Sequence, residues 1–496
     1  MTEFDIIVVG SGNAALCAAL AASENGASVL IIEKAKENLA GGNSKYTAGA
    51  MRFVYDTNED LLPLLSNPDD PRVPNTEFGS YPAAKFEKDL LSFNDGRPLS
   101  KEQRDLIDQS YEAMLWLASH GVTFEPIYER QSFEKDGRHI FWGGLTLAAD
   151  REGVGLFEAE LKAFLALGGT IKYDFAMTRL IVEDGRVTGV EATSSDCTTK
   201  SLFARSVVLA CGGFESSAAL RKKYIGPNWD KAKVRGTPHN TGDGIELAFE
   251  QGAKKHGFFE GCHATPMDLH MKDFGNLEIP HFERKNYRKI CYFLGVMLNA
   301  NGERFVDEGK DFRNYTYAQF GRAVLEQPNQ LAWQIFDSKV DHLLYGEYFF
   351  HDAYYVQAET LDELIDKLDG INNKAAARLT IENYNNAVDE NVTFDPTVKD
   401  GKSTKGLALP KSNWAQKIDQ GPFKAYPVTG GITFTYGGVE VDEHGAVLRE
   451  DGSIIEGLYA CGEMIGGVFF NGYPGGSGLT SGAVFGRRAG IGATRQ

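Results

Sequence analysis

The stretch that decides the fold is DIIVVGSGNAALCAALAASENGASVLIIE, residues 5–33. It begins with a short apolar run rich in β-branched residues, which is typical of a strand buried on both faces. The run continues into Gly10-Ser11-Gly12-Asn13-Ala14-Ala15, a G-x-G-x-x-A turn, and then into an alanine-rich segment with helical character. A second apolar run ends at Glu33. Strand, turn, helix, strand and terminal acid in this order predict a βαβ unit that binds a dinucleotide.

Each part of this unit has a physical role. Gly10 permits the tight turn, Gly12 lets the backbone approach a pyrophosphate, and Ala15 keeps the helix close to the strand. The helix N-terminus offers free N–H groups and a partial positive charge to the phosphates. Glu33, roughly 20 residues further on, can accept hydrogen bonds from ribose hydroxyls. The alternative is an ordinary βαβ unit with a glycine-rich turn.

Composition limits the class of protein. A chain of 496 residues can hold two or three domains, or one large domain with an insertion. A hydrophobic content of 42% and a charged content of 24% are typical of a soluble globular protein. The net charge of −17 disfavours nucleic acid and anionic membranes as partners. No apolar run is long enough to span a bilayer, and the first strand begins too early to leave room for a signal peptide. We therefore expect a cytoplasmic protein that does not span a membrane.

The six cysteines are scattered without C-x-x-C spacing. This argues against a disulfide framework, an iron–sulfur cluster or covalent haem, and we expect no metal site. An enzyme without such centres must exchange electrons with a separate acceptor, which could be a protein, a quinone or oxygen.

The amino-acid composition changes between about Gly261 and Val428. Glycine-rich turns become sparse, while aromatic and charged residues increase. The glycine-rich style returns near Thr429. This predicts an inserted domain, residues 261–428, between two parts of one cofactor domain, residues 1–260 and 429–496. Within the cofactor domain, the sequence predicts a hairpin at 178–192 and a final helix at about 481–490.

Several motifs occur together with the opening unit: the hairpin, LACGG at 209–213, GLYACGE at 457–463 and GLTSGAVFGRRAG at 478–490. In this order they resemble the FAD-binding half of the fumarate reductase/succinate dehydrogenase flavoprotein family, and the resemblance covers nearly the whole chain. It implies an α/β fold: a Rossmann-like FAD-binding domain of the two-dinucleotide-binding-domain flavoprotein type, capped by an inserted α+β domain. In that family the pair here numbered Gly462-Glu463 holds the ribityl chain. The last helix points its N-terminus at the isoalloxazine ring, where its dipole stabilises the anionic reduced flavin.

The motifs and the resemblance together predict a set of cofactor-binding residues. They are Gly10, Gly12, Asn13, Ala14, Ala15, Glu33, Lys34, Gly42, Asn43, Ser44, Thr47, Ala48, Gly49, Met177, Gly212, Asp243, Gly462, Glu463, Gly478, Leu479 and Thr480. In some family members the loop at 41–50 carries a histidine that attaches the flavin covalently. This loop reads GGNSKYTAGA here. The resemblance therefore implies non-covalent FAD.

Three stretches narrow the resemblance: FWGGL at 141–145, ERFVDEGKDFRNYTYA at 303–318 and NGYPGGSGLTSGAVFGRRAG at 471–490. They are similar to the tricarballylate dehydrogenase branch, which oxidises a propane tricarboxylate to cis-aconitate. The implied reaction removes hydrogen from a CH–CH bond next to a carboxylate, with hydride transfer to flavin N5 and proton removal assisted by an arginine. The implied substrate is a small polycarboxylate.

The resemblance also implies catalytic roles for Arg313, His263 and Tyr473. Arg313 follows Arg304-Phe305-Val306-Asp307-Glu308, one residue later than the proton-relaying arginine of the relatives. A guanidinium holds its proton tightly, so it would need a carboxylate relay, and Asp307, Glu308 and Asp311 are the candidates. His263 lies where relatives place a substrate-binding histidine. The alternatives are a surface arginine paired with the acidic run and a structural histidine.

Two anchors for a C4-dicarboxylate are absent. The HHTMGG-type sequence of the family is Thr433-Phe434-Thr435-Tyr436-Gly437-Gly438 here, and Tyr473 replaces an arginine. This disfavours fumarate and succinate, and the candidates for replacement anchors are Arg52, Lys45, Arg284, Arg288 and Tyr473. The tyrosines (Tyr46, Tyr315, Tyr317, Tyr436 and Tyr473) and the Tyr-Pro-Gly segment are also similar to ketosteroid Δ1-dehydrogenases. A ketosteroid-type dehydrogenase, a fumarate reductase-like enoate reductase and a non-catalytic flavin-binding subunit stay open as alternatives.

Overall fold

The structure is a computed structural model that describes residues 4–141, 144–274, 277–278, 287–344, 346–350 and 352–495. Trp142 and Gly143 of the FWGGL stretch and the candidate anchor Arg284 lie outside these residues. The strands are β1 (Phe4–Val9), β2 (Val29–Ile32), β3 (Ala50–Met51), β4 (Thr76–Glu77), β5 (Phe124–Pro126), β6 (Ser132–Lys135), β7 (Arg138–Phe141), β8 (Leu147–Ala149), β9 (Thr170–Lys172), β10 (Phe175–Glu183), β11 (Arg186–Ser194), β12 (Thr199–Leu209), β13 (Lys233–Val234), β14 (Lys255–Asp268), β15 (Val296–Asn299), β16 (Ala332–Phe336), β17 (Val356–Ala358), β18 (Phe423–Val439), β19 (Ala446–Leu448) and β20 (Ile454–Ala460).

The α-helices connect and cover these strands. They are α1 (Asn13–Glu24), α2 (Ala83–Leu91), α3 (Lys101–Ser119), α4 (Tyr128–Gln131), α5 (Glu152–Ala166), α6 (Ala218–Tyr224), α7 (Asp243–Glu250), α8 (Arg313–Leu325), α9 (Leu361–Asp366), α10 (Lys374–Ala387) and α11 (Ser477–Ala493). Within the described residues, none of them combines the length and the apolar character that a bilayer crossing requires.

The first sheet is built around the opening stretch. β1 lies between β2 and β12 and pairs in parallel with both, so that Val8 is opposite Ile31 and Val208. β9 extends the parallel part beyond β2, and β20 joins β12 on the other side. The predicted hairpin is present as β10 and β11, which continue the sheet in antiparallel fashion from β12. The predicted β1–α1–β2 unit is therefore confirmed.

Helices α1 and α11 pack closely against each other beside this sheet. The contact depends on small residues, because a Cβ on Gly486 would lie 2.5 Å from the Ala14 carbonyl oxygen and one on Gly490 would lie 2.1 Å from that of Ala18. The alanines of α1 are fully or almost fully buried except Ala14, which is partly buried. Bulkier side chains in either helix would separate the two helices, whose first residues both lie at the edge of the sheet where the parallel strands end.

The turn after β1 places the strictest demand on a single residue. Gly10 has φ of +106°, and a Cβ there would lie 2.5 Å from the carbonyl oxygen of Ala210. We expect Gly10→Ala to lower the free energy of unfolding by more than the roughly 1 kcal/mol that left-handed strain alone costs, and to weaken FAD retention. Urea unfolding and flavin absorbance measure the two effects.

Gly26 provides a matched control for this substitution in the same βαβ unit. It also has a positive φ, +83°, but nothing lies within 4 Å of its Cβ position. Gly26→Ala should therefore show the strain cost alone and keep its FAD. Equal losses in the two variants would contradict the close-contact explanation for Gly10.

A second sheet is organised by β18, which is 17 residues long. β18 pairs with β16 and β17 through its first part and with β14 through most of its remaining length. β15 extends the sheet beyond β16. The predicted boundaries at 260/261 and 428/429 fall inside β14 and β18, which are hydrogen-bonded to each other. A separate core of fully buried side chains, among them Trp333, Ile381 and Ala425, lies within residues 296–425.

Candidate active site

A deep cavity lies between the two sheets, at the carboxyl end of β1. Most of the residues predicted from the sequence line it. They are Gly10, Gly12, Asn13, Ala14, Glu33, Lys34, Gly42, Asn43, Ser44, Thr47, Ala48, Met177, Gly212, Asp243, Gly462, Glu463, Gly478 and Leu479, together with Arg313, His263 and Tyr473. The fold thus brings residues from the two ends and the middle of the chain to one site.

Three residues of the predicted set do not line the cavity. Ala15 is fully buried in the core with the rest of α1. The Cβ position of Gly49 lies 2.7 Å from the backbone of Glu152, at the start of α5. Thr480 is buried, and its hydroxyl donates to the carbonyl oxygen of Gly476, the residue just before α11. These three residues pack next to the residues that line the cavity.

One end of the cavity is built for a polar, hydroxyl-bearing group. Glu33 follows β2, where its carboxylate accepts hydrogen bonds from the Ser11 hydroxyl at 2.5 Å and from the backbone N–H of Ala35 at 2.6 Å. Burial raises the pKa of Glu33, and these hydrogen bonds oppose that shift. Lys34 donates to Thr241 and forms an ion pair with Asp243 at 2.7 Å. These residues lie where the sequence predicts the adenosine end of FAD.

The first residues of α1 and α11 form the central part of the cavity. The Asn13 side chain links them by donating to the carbonyl oxygen of Leu479 at 2.8 Å. α11 begins at Ser477, four residues before the predicted start at Ser481, because Gly476 takes a left-handed conformation and ends the preceding turn. A Cβ on Gly478 would meet nothing closer than 3.7 Å. Two helix N-termini therefore face open space, as a dinucleotide with a flat ring requires.

The far end of the cavity collects cations. Arg235, Arg288 and Arg313 all line it. Arg235 is held by the Thr433 hydroxyl at 3.1 Å and by the Tyr46 carbonyl at 3.2 Å, and Arg288 forms an ion pair with Glu347 at 3.1 Å. Burial and the neighbouring Arg288 lower the pKa of Arg235 to about 10. The guanidiniums thus repel one another in a buried place, which favours the binding of an anion.

A chain of hydrogen bonds connects three rings beside these arginines. The Tyr473 hydroxyl lies 2.8 Å from Nδ1 of His263, and the Tyr317 hydroxyl lies 3.1 Å from that of Tyr473. Burial, Arg235 and Arg288 hold the pKa of His263 well below its usual range, so the imidazole is neutral. Its Nε2 is buried and has no hydrogen-bond partner among the described residues. A neutral histidine whose Nδ1 accepts from Tyr473 carries its proton on Nε2 and can donate it to a ligand.

The predicted relay carboxylates lie elsewhere. Asp307 accepts from the backbone N–H of Ser412 at 2.9 Å, Glu308 forms a buried ion pair with Arg304, and Asp311 pairs with Lys399 at 3.3 Å. None of the three lines the cavity. The carboxylate that does line it beside the arginines is Glu347.

Two predicted anchors are also placed outside the cavity lining. Arg52 is fully buried, donates to the carbonyl oxygen of Gly475 at 2.7 Å and lies 3.9 Å from Asp89. It supports the turn before α11. Lys45 lies with its Nζ 4.9 Å from the centre of the Phe157 ring.

Sequence reasoning did not single out Arg235 or Glu347. Arg235 belongs to no recognised motif, and it reaches the cavity because β13 pairs with β18 at Val234 and Ile432. Glu347 lies in a short helical turn, Gly346–Tyr348, that has no sequence signature. Among the described residues, no group of histidine, cysteine and acidic side chains could hold a metal ion.

Comparisons with known proteins identify the family of the chain. Residues 5–479 match a family model described as FAD binding domain. The chain belongs to this family of FAD-binding domains. The predicted cofactor, FAD, is thus confirmed. We propose that the residues along the cavity hold it, with the adenosine near Glu33 and the isoalloxazine near α11.

Individual relatives extend over almost the whole chain. NADH:acrylate oxidoreductase of Vibrio harveyi is 27% identical over 99% of this chain and 50% of its own length. 3-Oxosteroid 1-dehydrogenase of Mycolicibacterium smegmatis is 26% identical over 97% of this chain and 95% of its own. A solved structure, the open conformation of a flavocytochrome c3 fumarate reductase, matches with a TM-score of 0.72 and 25% identity over 99% of this chain and 78% of that chain.

These relatives bear on the predictions in different ways. The α/β fold with a Rossmann-like FAD-binding domain and a capping domain is confirmed, as is the fumarate reductase-type family. The predicted class, a flavin-dependent oxidoreductase, agrees with relatives that are themselves named oxidoreductases or dehydrogenases. The chain spans about half the length of the first two curated relatives that it matches.

The attachment of the flavin gives a direct prediction. The histidines that line the cavity are His239 and His263, and the loop at 42–46 contributes none. We expect acid or heat denaturation to release all the FAD into the supernatant and leave a colourless pellet. A pellet that stays yellow and fluoresces would contradict non-covalent binding.

Proposed function

We propose that this chain is an FAD-dependent oxidoreductase that interconverts a CH–CH bond and a C=C bond next to a carboxylate of a small polycarboxylate. The specific reaction that we propose is the oxidation of tricarballylate to cis-aconitate. The observation that carries the proposal is the convergence of Arg235, Arg288 and Arg313 at one end of the cofactor cavity.

Charge supports a polyanionic substrate. Three arginines and one carboxylate, Glu347, line this end of the cavity, so three positive charges minus one negative leave two positive charges. His263 adds none because its pKa is lowered. Arg313 is also the first residue of α8 and is only 8% exposed. A cation at a helix N-terminus is opposed by the helix dipole, so a substrate carboxylate bound beside Arg313 would be stabilising there.

The residues can divide the work of the reaction. Bound FAD supplies the hydride acceptor or donor. Arg235 and Arg288 are held by protein partners and can grip carboxylates in a fixed orientation, while His263 donates from Nε2. We assign proton transfer at the neighbouring carbon to Arg313, with Glu347 as the nearby carboxylate of the cavity that can accept the proton in turn. Phe434 and Phe469 line the same space and exclude water from it.

A second candidate has its own supporting observation. Aromatic side chains form one wall of the cavity, with ring centres of Phe434 and Tyr473 separated by 5.1 Å and those of Phe469 and Tyr473 by 5.0 Å. The Tyr317–Tyr473–His263 chain could move a proton to or from an uncharged ketone. These features favour a 3-oxosteroid-type dehydrogenase. The three arginines that line the cavity disfavour it, because an apolar substrate would bring no anion to offset their net positive charge.

Anaerobic mixing of the yellow holoenzyme with a panel of substrates tests the proposal. Tricarballylate should bleach the visible flavin absorption, succinate should do so more weakly, and a 3-oxosteroid should leave it unchanged. Enzyme reduced in advance should be reoxidised by cis-aconitate. Bleaching by the steroid alone would replace the proposal with the second candidate, and reoxidation by fumarate or acrylate in preference to cis-aconitate would favour an enoate reductase.

A further inference from the structure

Two carboxyl groups meet beside the cofactor cavity, away from the arginines. Glu215 lies in the GGFE turn after β12 and is fully buried. Glu463 follows β20 and lines the cavity. The two carboxyl groups interact electrostatically, and Oε2 of Glu215 is buried with no hydrogen-bond partner among the described residues. A Cβ on Gly213, two residues before Glu215, would lie 2.2 Å from Oε1 of Glu463, so the two side chains belong to one small region. Nothing in the proposed reaction uses Glu215.

The partners of this pair are almost all neutral. Oε1 of Glu215 accepts from the amides of Asn43 and Asn240, each at 2.6 Å. Oε1 of Glu463 accepts from the backbone N–H of Thr435 at 2.7 Å and from its hydroxyl at 3.0 Å. Four hydrogen-bond donors are thus fixed on two carboxyl oxygens.

No nearby cation balances the pair in the described part of the chain, where neither carboxyl takes part in an ion pair. Arg221 of α6 faces Glu215, but its guanidinium donates to the backbone carbonyl of Glu215 at 2.5 Å. Tyr436 of β18 is the titratable group that faces Glu463. Two contacting carboxyls in a buried place cannot both be charged, so at least one proton must stay between them.

The order of protonation follows from burial. Burial and the charge of Glu463 hold the pKa of Glu215 well above its usual range. Burial raises the pKa of Glu463 to about 7, although hydrogen bonds from Thr435 oppose the shift. Glu215 is therefore the member of the pair that keeps its proton, and Glu463 is the member that titrates closer to neutral pH.

We propose that Glu215 and Glu463 form a proton store that takes up one additional proton when the bound FAD is reduced. Two electrons and one proton enter the flavin, which gains a negative charge. That charge raises the proton affinity of the pair, and a second proton leaves solvent and forms an O–H bond on the Glu463 carboxylate. Reoxidation of the flavin returns this proton to solvent. The pair thereby compensates the charge of the reduced cofactor, together with the N-terminus of α11.

The experiment measures the flavin midpoint potential of the holoenzyme against pH, by electrochemical titration with mediator dyes and without substrate. The wild-type potential should fall around neutral pH with the slope of two protons per two electrons, and at alkaline pH with the slope of one. Glu215→Gln should show the one-proton slope throughout, because the glutamine amide donates to Glu463 and keeps it ionised. Since no substrate is present, the result is independent of the proposed reaction.

Glu160→Gln is the matched control. Glu160 is another fully buried glutamate, bonded to Cys17, and it does not line the cavity. This variant should keep the wild-type slopes. A one-proton slope for the wild-type enzyme at every pH, or an unchanged two-proton region in Glu215→Gln, would overturn the proposal.

An infrared measurement on the wild-type protein covers the case in which Glu215→Gln fails to bind FAD. The reduced-minus-oxidised difference spectrum at neutral pH should contain a new carboxylic acid C=O band and the loss of a carboxylate band. A spectrum without this pair of bands would also overturn the proposal.

Discussion

Replacing Arg313 with glutamine is expected to lower the turnover of the preferred polycarboxylate by about 10³-fold, the size of effect that loss of a positioned acid–base group produces. Arg313 is buried, begins α8 and lines the cavity together with His263. Glutamine can still donate a hydrogen bond but cannot carry the charge or relay the proton. Single-turnover flavin reduction, followed by absorbance after anaerobic mixing, measures the chemical step directly, and FAD content should stay at one per chain.

Arg322→Gln is the control for this prediction. Arg322 belongs to the same helix, but it does not line the cavity, and its guanidinium donates to the backbone carbonyl of Glu260. This variant should reduce flavin at the wild-type rate. If Arg313→Gln also reduced flavin at the wild-type rate, proton transfer would belong to the Tyr317–Tyr473–His263 chain. A loss of about 10³-fold in the flavin reduction rate of Tyr317→Phe would then identify that route.

Replacing Arg235 with glutamine should lower kcat/KM for the polycarboxylate by about 10²- to 10³-fold, mostly through KM. Loss of one partner of a buried, charge-assisted contact costs about 2–5 kcal/mol, and each 1.4 kcal/mol is about a factor of ten. The side-chain amide of the new glutamine could replace only some of the hydrogen bonds that Arg235 makes to Thr433 and Tyr46. Steady-state kinetics and equilibrium binding of the substrate to the oxidised enzyme separate the two parameters.

Two comparisons make this prediction specific. Arg235→Gln should lower kcat/KM less for an analogue that lacks one carboxylate than for the full substrate. The reason is that the missing carboxylate and the missing guanidinium are the two partners of one contact. Lys45→Gln should leave kcat/KM unchanged, since Lys45 does not line the cavity. Equal effects of Arg235→Gln on charged and uncharged substrates would contradict an anchoring role.

The parts of the fold that could be predicted are those with local signals. The glycine turn, the alanine-rich helix and Glu33 form one continuous unit, so the sequence predicts β1, α1 and β2 together. The hairpin of β10 and β11 is predicted by alternation around Asp184-Gly185 in the same way. The start of α11 was placed too late because Pro474-Gly475-Gly476 and the residues after them have the composition of a loop.

The parts of the site that could not be predicted depend on contacts distant in sequence. Arg235 reaches the cavity through a two-residue strand, and nothing in its neighbours marks it as a ligand-facing residue. The acidic residues around Arg304 suggested a relay, yet they fold into ion pairs and turns of their own. Glu215 could not be predicted either. A single glutamate after a glycine turn has no sequence motif, and only the fold brings it near Glu463.

The length of β18 has a consequence for motion between the parts of the chain that it joins. One uninterrupted strand of 17 residues carries the pairing partners of the inserted segment at its beginning and Thr433–Tyr436, on the wall of the cavity, near its end. Domain closure is ordinarily absorbed by a few hinge residues in loops. Here a tilt of the inserted segment would twist β18 itself. The twist would then displace the residues near the end of β18 that line the flavin site. Substrate entry and the electronic environment of the cofactor would then be mechanically coupled along a single backbone.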